Sequence, residues 1–247
     1  MKISNLVEFF CVIYLMFFSF YLNAQSVSKI KTAKGKGIYY HGENYETIIL
    51  GNGQEWMAQN LKTTQYNDGT SIPLVTDSLQ WVVNSSKELP MMCWYGNDQT
   101  TYSSSNFGSL YNLYAISPNT NGNRNVCPAG WHVPSDKDWT KLINYLDSKA
   151  DGGYNRNMAG GKMKSIGTQY WKSPNSGASN ESGFNGLPGG FRNYDGNFFS
   201  FGKTANWWSY KELTTFAWAF SLNFEDQEIS KVSMNLGNAY SVRCIKD

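Results

Sequence analysis

Two histidines, His41 and His132, are the only imidazole side chains in this chain of 247 residues. A catalytic zinc site needs two or three His or carboxylate ligands on one ion, and the HExxH spacing is absent. No G-x-S-x-G string occurs, which argues against a serine hydrolase of that type. We therefore expect no catalytic residue and no enzyme activity. We expect His132 to be a hydrogen-bonded residue of the core.

Three carboxylates, Asp98, Glu181 and Asp195, lie in segments rich in Gly, Asn and Ser. Two carboxylates about 5 to 9 Å apart would provide the machinery of a glycosidase. The sequence does not give that separation. An extracellular carbohydrate-active hydrolase that uses these loop carboxylates therefore remains the alternative to a non-enzymatic protein.

Glu181 also has the neighbours of a calcium ligand. Asn180 and Ser182 can add amide, hydroxyl and carbonyl oxygens, the hard ligands that Ca²⁺ prefers. The competing interpretation is a carboxylate that accepts backbone N–H groups and fixes an irregular loop. Glu181 and Asn180 are thus the candidate metal ligands, and calcium is the one cofactor considered.

Aromatic residues make up 16% of the chain, and several Trp residues fall in its loop-rich parts. Exposed aromatic faces can stack on sugar rings, so Trp94, Trp207 and Trp208, together with Asp98, are the candidate ligand-binding residues. Trp207 and Trp208 are neighbours in a predicted strand and point to opposite faces, so at most one of them can face a ligand. The competing interpretation is that these rings pack in the core.

One helix that would position these residues is strongly predicted. Ser135 can cap its start, and Asp136 and Asp138 in its first turn complement the helix dipole. Apolar residues then recur with helical spacing at Trp139, Leu142, Ile143 and Leu146. A second, shorter helix is predicted over Asn157–Ile166, although two glycines weaken it.

Short strands are predicted on both sides of these helices, at Gly37–His41, Tyr45–Leu50, Gln54–Gln59, Gly196–Phe201, Ala205–Tyr210, Thr215–Leu222, Glu228–Asn235 and Ala239–Ile245. In the last strand, Tyr240, Val242 and Cys244 would face the core, with Ser241 and Arg243 on the other face. Hairpins, helices and then an antiparallel meander predict one loop-rich α+β domain.

Three cysteines follow the N-terminal apolar segment: Cys93, Cys127 and Cys244. In an exported protein one oxidised pair is expected. A Cys127–Cys244 bond would tie the C-terminal strand to the middle of the chain and is the pairing we prefer. Cys93 lies in an apolar stretch and is predicted to be a small buried hydrophobic residue.

The N-terminus resembles a signal peptide. Lys2 precedes the apolar run Phe9–Leu22, and Ala24 offers a cleavage point before Gln25. The run is shorter than the roughly 20 residues that a membrane-spanning helix needs. We predict a signal peptide at residues 1–24, a flexible leader at 25–36 and one domain at 37–247. The mature protein is expected in the cell envelope (periplasm or outer surface) or secreted, with no membrane attachment.

The charge balance limits the classes of molecule that the protein can bind. Only 16% of residues are charged and the net charge is +2. Nucleic acids and anionic membranes require clustered Lys and Arg, which this chain lacks. The predicted partner is therefore a glycan or a surface protein.

Seven strings of sequence occur in the order of a known family. They are Glu55–Thr64, Tyr66–Thr70, Cys127–Ser135, Asn180–Phe184, Leu187–Arg192, Trp207–Ser209 and Ser241–Cys244. Together they resemble the Fibrobacter succinogenes major paralogous domain, which is found mostly in exported proteins of Bacteroidetes and Fibrobacteres. That family has no established activity, so the resemblance implies a fold and not a function.

The string Trp131–Ser135, with Trp139, also resembles distantly the C-type-lectin-like fold shared with formylglycine-generating enzymes. In such folds a disulfide commonly joins the helical region to the final strand, in agreement with Cys127–Cys244. The sugar-binding motifs of calcium-dependent lectins are absent, and the paired catalytic cysteines of the enzymes find no counterpart. The resemblance therefore implies an exported, non-enzymatic binding or scaffold domain.

Overall fold

In the computed structural model, which describes residues 30–153, 156–210 and 216–247, the described chain contains fifteen short strands, six α-helices and a 3₁₀-helix at Tyr95–Asn97. The strands are β1 (Thr32–Lys34), β2 (Ile38–Tyr40), β3 (Glu43–Tyr45), β4 (Thr47–Leu50), β5 (Glu55–Met57), β6 (Met92–Cys93), β7 (Leu110–Asn112), β8 (Trp131–His132), β9 (Phe191–Arg192), β10 (Phe198–Phe199), β11 (Thr204–Ser209), β12 (Ala217–Asn223), β13 (Ile229–Met234), β14 (Ala239–Tyr240) and β15 (Ile245–Lys246). The helices are α1 (Ser78–Ser86), α2 (Gln99–Ser103), α3 (Leu113–Ile116), α4 (Pro118–Asn121), α5 (Asp136–Leu146) and α6 (Ala159–Met163).

The strands form three sheets and one separate hairpin, β2–β3. The sheet orders are β1-β4-β5-β15-β8, β10-β9-β14-β7-β6 and β11-β12-β13. Neighbouring strands in these sheets run antiparallel. Strand β15 pairs with both β5 and β8, so the end of the chain lies between two segments that are distant in sequence. The predicted α+β class is confirmed.

The predicted main helix is confirmed as α5. Its capping box is complete, because Ser135 accepts from the Asp138 backbone and Asp138 accepts from the Ser135 backbone. The apolar stripe is buried. The Trp139 ring lies 4.9 Å from the Trp56 ring and 4.9 Å from the Phe220 ring, so α5 packs against both the β5 and β12 sheets.

Helix α6 is shorter than the predicted Asn157–Ile166, and its glycines have a packing role. A Cβ on Gly160 would collide with the Glu228 carbonyl oxygen and lie 2.8 Å from the Ile229 nitrogen. The absence of side chains therefore lets α6 lie directly on the start of β13. This close approach compensates for the low helix propensity of glycine.

The N-terminal boundary differs from the prediction. Strand β1 lies inside the segment 25–36 that was predicted to be a flexible leader, and it pairs with β4 in the register Ala33↔Ile49. Its three residues are exposed, which explains why the sequence shows no apolar pattern there. The predicted signal peptide at residues 1–24 lies outside the described residues.

The C-terminal segment also differs from a single strand. Ala239–Ile245 contains β14 and the first residue of β15, and the residues between them make no continuous ladder. Tyr240, Val242 and Cys244 are buried as predicted. Arg243, predicted on the opposite face, is equally buried, because that face is covered by other parts of the domain.

The predicted disulfide Cys127–Cys244 is present, and Cys93 is a buried free cysteine. The bond fixes the chain just before β15 to the chain just before β8. No helix among the described residues has the length and apolar character needed to cross a bilayer.

Candidate functional site

A groove of about 390 Å³ runs between the first sheet and two loops of the domain. One side is formed by β1 and by residues 46–48, at and just before the start of β4. Four side-chain amides also line the groove, from Gln59, Asn106, Asn180 and Asn185. Residues that are far apart in sequence therefore meet here.

The groove offers hydrogen bonds without net charge. Its charged side chains, Lys34 and Glu46, pair with each other at 2.8 Å. Oε1 of Gln59 accepts from the Glu46 backbone at 3.2 Å, and Oδ1 of Asn180 accepts from the Asn185 backbone at 2.8 Å. Each bond orients an amide through its oxygen and leaves the NH₂ group available. A neutral ligand rich in hydroxyl groups fits this donor and acceptor set.

The loop that carries Asn180 and Asn185 is fixed by contacts with the core of the domain. Asn180 adopts a left-handed conformation with φ of 52°, and Ser182 donates its hydroxyl to the Lys162 carbonyl at 2.8 Å. Phe184 is buried beside Trp56 and Trp207. The loop is thus a fixed wall of the groove.

Arg243 connects both loops of the groove from within the core. Its Nη2 and Nε donate to Oδ1 of Asn60 at 2.7 and 3.1 Å, and its Nη1 donates to the Phe184 carbonyl. Nδ2 of Asn60 in turn donates to the Phe107 carbonyl at 2.8 Å. Phe184 precedes Asn185 and Phe107 follows Asn106, so one buried cation positions two of the four groove amides.

Arg243 is 0% exposed and lies 4.0 Å above the Phe184 ring. Burial lowers the pKa of its guanidinium to about 9. Strand alternation with Val242 and Cys244 placed Arg243 on the face away from the core, so the local pattern gave no signal for its burial.

A partly exposed aromatic cluster is linked to the groove through the loop that carries Asn106 and Phe107. We use this name for Tyr95, Tyr102, Phe107, Tyr170, Phe198 and Phe201. The Phe201 ring lies 4.9 Å from the Tyr95 ring and 5.0 Å from the Phe107 ring. The Tyr170 side chain contacts Phe107 at 5.6 Å, and Tyr170 remains 44% exposed. Phe107 follows the groove residue Asn106, so the same loop contributes to both the groove and the aromatic cluster.

Gly190 allows the aromatic cluster to form. Its φ is +62°, and a Cβ there would lie 2.8 Å from the Phe201 nitrogen and 2.9 Å from Cε2 of Tyr95. Both the backbone conformation and the close contacts favour glycine. The turn after β10 can therefore approach Tyr95 closely enough for their rings to meet.

The tryptophans predicted to bind ligand are buried instead. Trp94, Trp207 and Trp208 have at most 3% of their surface exposed. Nε1 of Trp207 donates to Asn60 at 2.8 Å and Nε1 of Trp208 donates to the Tyr111 carbonyl at 2.7 Å. The prediction fails because both faces of β11 are covered, so opposite orientations do not bring either ring to the surface.

Two of the three candidate carboxylates stabilise local backbone. Asp98 caps α2 through a 3.0 Å bond from the Thr101 nitrogen, and Asp195 accepts from the Asn197 nitrogen at 3.0 Å. Hydrogen bonds from Thr101 lower the pKa of Asp98, and the Asn197 backbone bond lowers the pKa of Asp195. A glycosidase acid needs a raised pKa, so these shifts have the wrong direction for that role.

Glu181 is exposed, and its side chain makes no hydrogen bond to a described residue. Its neighbour Asn180 uses its amide oxygen to fix the loop, which is the role that the sequence suggested for the carboxylate. Among the described residues no group of three or more His, Cys, Asp or Glu side chains is arranged to hold a metal ion. The structure adds no observation that favours calcium at Asn180 and Glu181.

His132 was predicted to be a residue of the core. It instead belongs to a surface ion-pair group, with 42% of its side chain exposed. Its Nδ1 lies 2.6 Å from Oδ1 of Asp247 and its Nε2 lies 3.3 Å from Oδ2 of Asp138. The Ser135 hydroxyl donates to the same Asp138 oxygen at 2.5 Å. The carboxylate lies between serine and histidine, whereas a hydrolase triad requires the histidine in that position.

The hydrogen bond with Asp138 raises the pKa of His132. Burial opposes this shift, and the hydrogen bond with Asp247 adds to it. A raised pKa in the folded state gives stability that is fully present below the unfolded value of about 6.5 and is lost as pH rises through the folded pKa. The melting temperature of wild type should therefore exceed that of His132→Gln most at about pH 6. The difference should shrink by about pH 9. A difference that stays constant over this range would contradict the ion-pair assignment.

The sequence model of the Fibrobacter succinogenes major domain matches residues 50–246. No curated protein matches the chain, and no solved structure matches it. The likeness to C-type lectins therefore stays a prediction from the sequence.

Proposed function

The chain belongs to the Fibrobacter succinogenes major domain family, and from this premise we propose that it is an exported, non-enzymatic binding domain for neutral glycans. The observation that carries the proposal is the groove, which has four amides and a balanced ion pair and shares the loop of Asn106 and Phe107 with the aromatic cluster. Sugar hydroxyls match amide donors and acceptors, and sugar ring faces stack on aromatic side chains. Of the two predicted partners, a glycan and a surface protein, these features favour the glycan.

The Cys127–Cys244 disulfide indicates an oxidising compartment outside the cytoplasm. We propose the cell envelope or the medium as the location, which is where bacterial glycans are encountered. A net charge of +2 gives no strong field for nucleic acid.

Calorimetric titration with neutral hexasaccharides of β-linked glucose, xylose and mannose tests the proposal. Tyr170→Ala should weaken binding about fivefold, because an aromatic stacking contact contributes about 1 kcal/mol. Tyr194→Ala is the matched control, since Tyr194 is 50% exposed but has no ring contact with the cluster. Equal losses for the two variants would argue against the aromatic cluster as part of the site.

The same sugars separate binding from hydrolysis. We expect no release of reducing ends from any hexasaccharide during long incubation. Asp98 and Asp195 have lowered pKa values because Asp98 accepts hydrogen bonds from Thr101 and Asp195 accepts one from the Asn197 backbone N–H group. Glu181→Gln serves as the control for the remaining loop carboxylate. Turnover that disappears in this variant would replace the binding proposal with the hydrolase alternative.

A further inference from the structure

The residues that line the groove differ in whether the family model matches them. Six groove residues, at positions 32–34 and 46–48, precede residue 50, where the family match begins. The remaining six lie within the matched span. We infer that residues 32–49, here called the N-terminal extension, are the specificity-determining wall, which selects among neutral glycans by size and linkage. This inference rests on the proposed function of the same groove.

The N-terminal extension is firmly attached to the domain. Strand β4 pairs with β5, and the Ala58 nitrogen donates to the Glu46 carbonyl at 2.8 Å. The Tyr45 hydroxyl accepts from the Lys62 nitrogen at 3.0 Å, and the Tyr40 hydroxyl donates to the Val126 carbonyl at 3.2 Å. These contacts fix the wall before ligand arrives, so its shape can discriminate between ligands.

Strand β1 forms the outer rim of this wall. Its three residues are exposed, and all three line the groove. Within the sheet, β1 pairs with β4 alone, and Lys34 reaches Glu46 across the rim. The register Lys34↔Ile48 and strand alternation place the Thr32 and Lys34 side chains on the face of Ile48, which lines the groove, and the Ala33 methyl group on the opposite face. The bulk at position 32 therefore sets the room available to a sugar ring while contributing little to the core.

Thr32→Trp in the full chain tests the inference. An indole at this exposed position should fill the groove, lower affinity for the preferred hexasaccharide at least about tenfold and change the order of preference among the three sugars. Asn44→Trp is the matched control, because Asn44 is an exposed strand residue of the N-terminal extension that does not line this groove. Both variants should melt at the wild-type temperature, since exposed positions tolerate substitution.

The outcomes separate this inference from the proposed function. If wild type binds, and Thr32→Trp binds with the same affinity and the same order of preference, the role of the extension is overturned and the groove proposal stands. Equal losses in Thr32→Trp and Asn44→Trp would also overturn that role, because position within the groove would then not matter. Failure of the wild-type protein to bind any of the three hexasaccharides would overturn both proposals.

Discussion

Loss of the Cys127–Cys244 disulfide is expected to lower the free energy of unfolding by about 5 kcal/mol. The bond closes a sequence separation of 117 residues, and a loop of this size gives a large reduction in the entropy of the unfolded chain. Domains of ordinary stability have about 5 to 15 kcal/mol in total. Reduction should therefore remove a large share of the stability. Chemical denaturation with and without reductant measures the change.

The double variant Cys127→Ala/Cys244→Ala is the matched control for reductant. Reductant should leave its unfolding midpoint unchanged, because Cys93 is free and buried. Burial also raises the pKa of the Cys93 thiol to about 12, which keeps it unreactive. If the unfolding midpoint of the wild-type protein does not change when reductant is added, the predicted contribution of the bond is contradicted.

Arg243→Met is expected to lower the free energy of unfolding by about 3 kcal/mol. The substitution keeps an apolar stem but removes the donors to Asn60 and to the buried Phe184 carbonyl. An unsatisfied buried acceptor costs about 1 to 3 kcal/mol, and the stacking of the cation on the Phe184 ring is lost as well. Avoided desolvation of the guanidinium offsets part of this cost.

Arg124→Met is the matched control. Arg124 makes an exposed ion pair with Asp68 at 3.1 Å, so its loss should cost much less. Denaturant midpoints of the two variants measure the difference. Similar destabilisation by both substitutions would show that Arg243 is not the buried link between the two loops of the groove.

The main helix, the disulfide and the meander could be predicted because each has a local signal. Ser135 and Asp138 form a capping box next to an apolar stripe, and Cys244 follows the core residues Tyr240 and Val242 at alternate positions. The second helix was predicted too long. Its glycines allow close contact with Glu228, and they do not favour a longer helix. Periodicity identifies elements but does not show which neighbours cover them.

The candidate site was predicted less well for the same reason. Strand alternation placed Trp207 and Trp208 on opposite faces, but other segments bury both faces. The partner of Arg243, Asn60, is distant in sequence, so no local pattern indicates the pair. The aromatic cluster includes Tyr102 and Phe201, which lie in Gly- and Ser-rich segments that resemble plain loops.

Amide chemical-shift mapping by NMR during titration with the preferred neutral hexasaccharide tests whether this groove is the binding site. The shifted signals should cluster at residues 32–34, at Asn106 and at Asn180, Gly183 and Asn185, which line the groove. Shifts that cluster on a distant element such as α1, or no shifts at millimolar sugar, would contradict the assignment of this groove as the binding site.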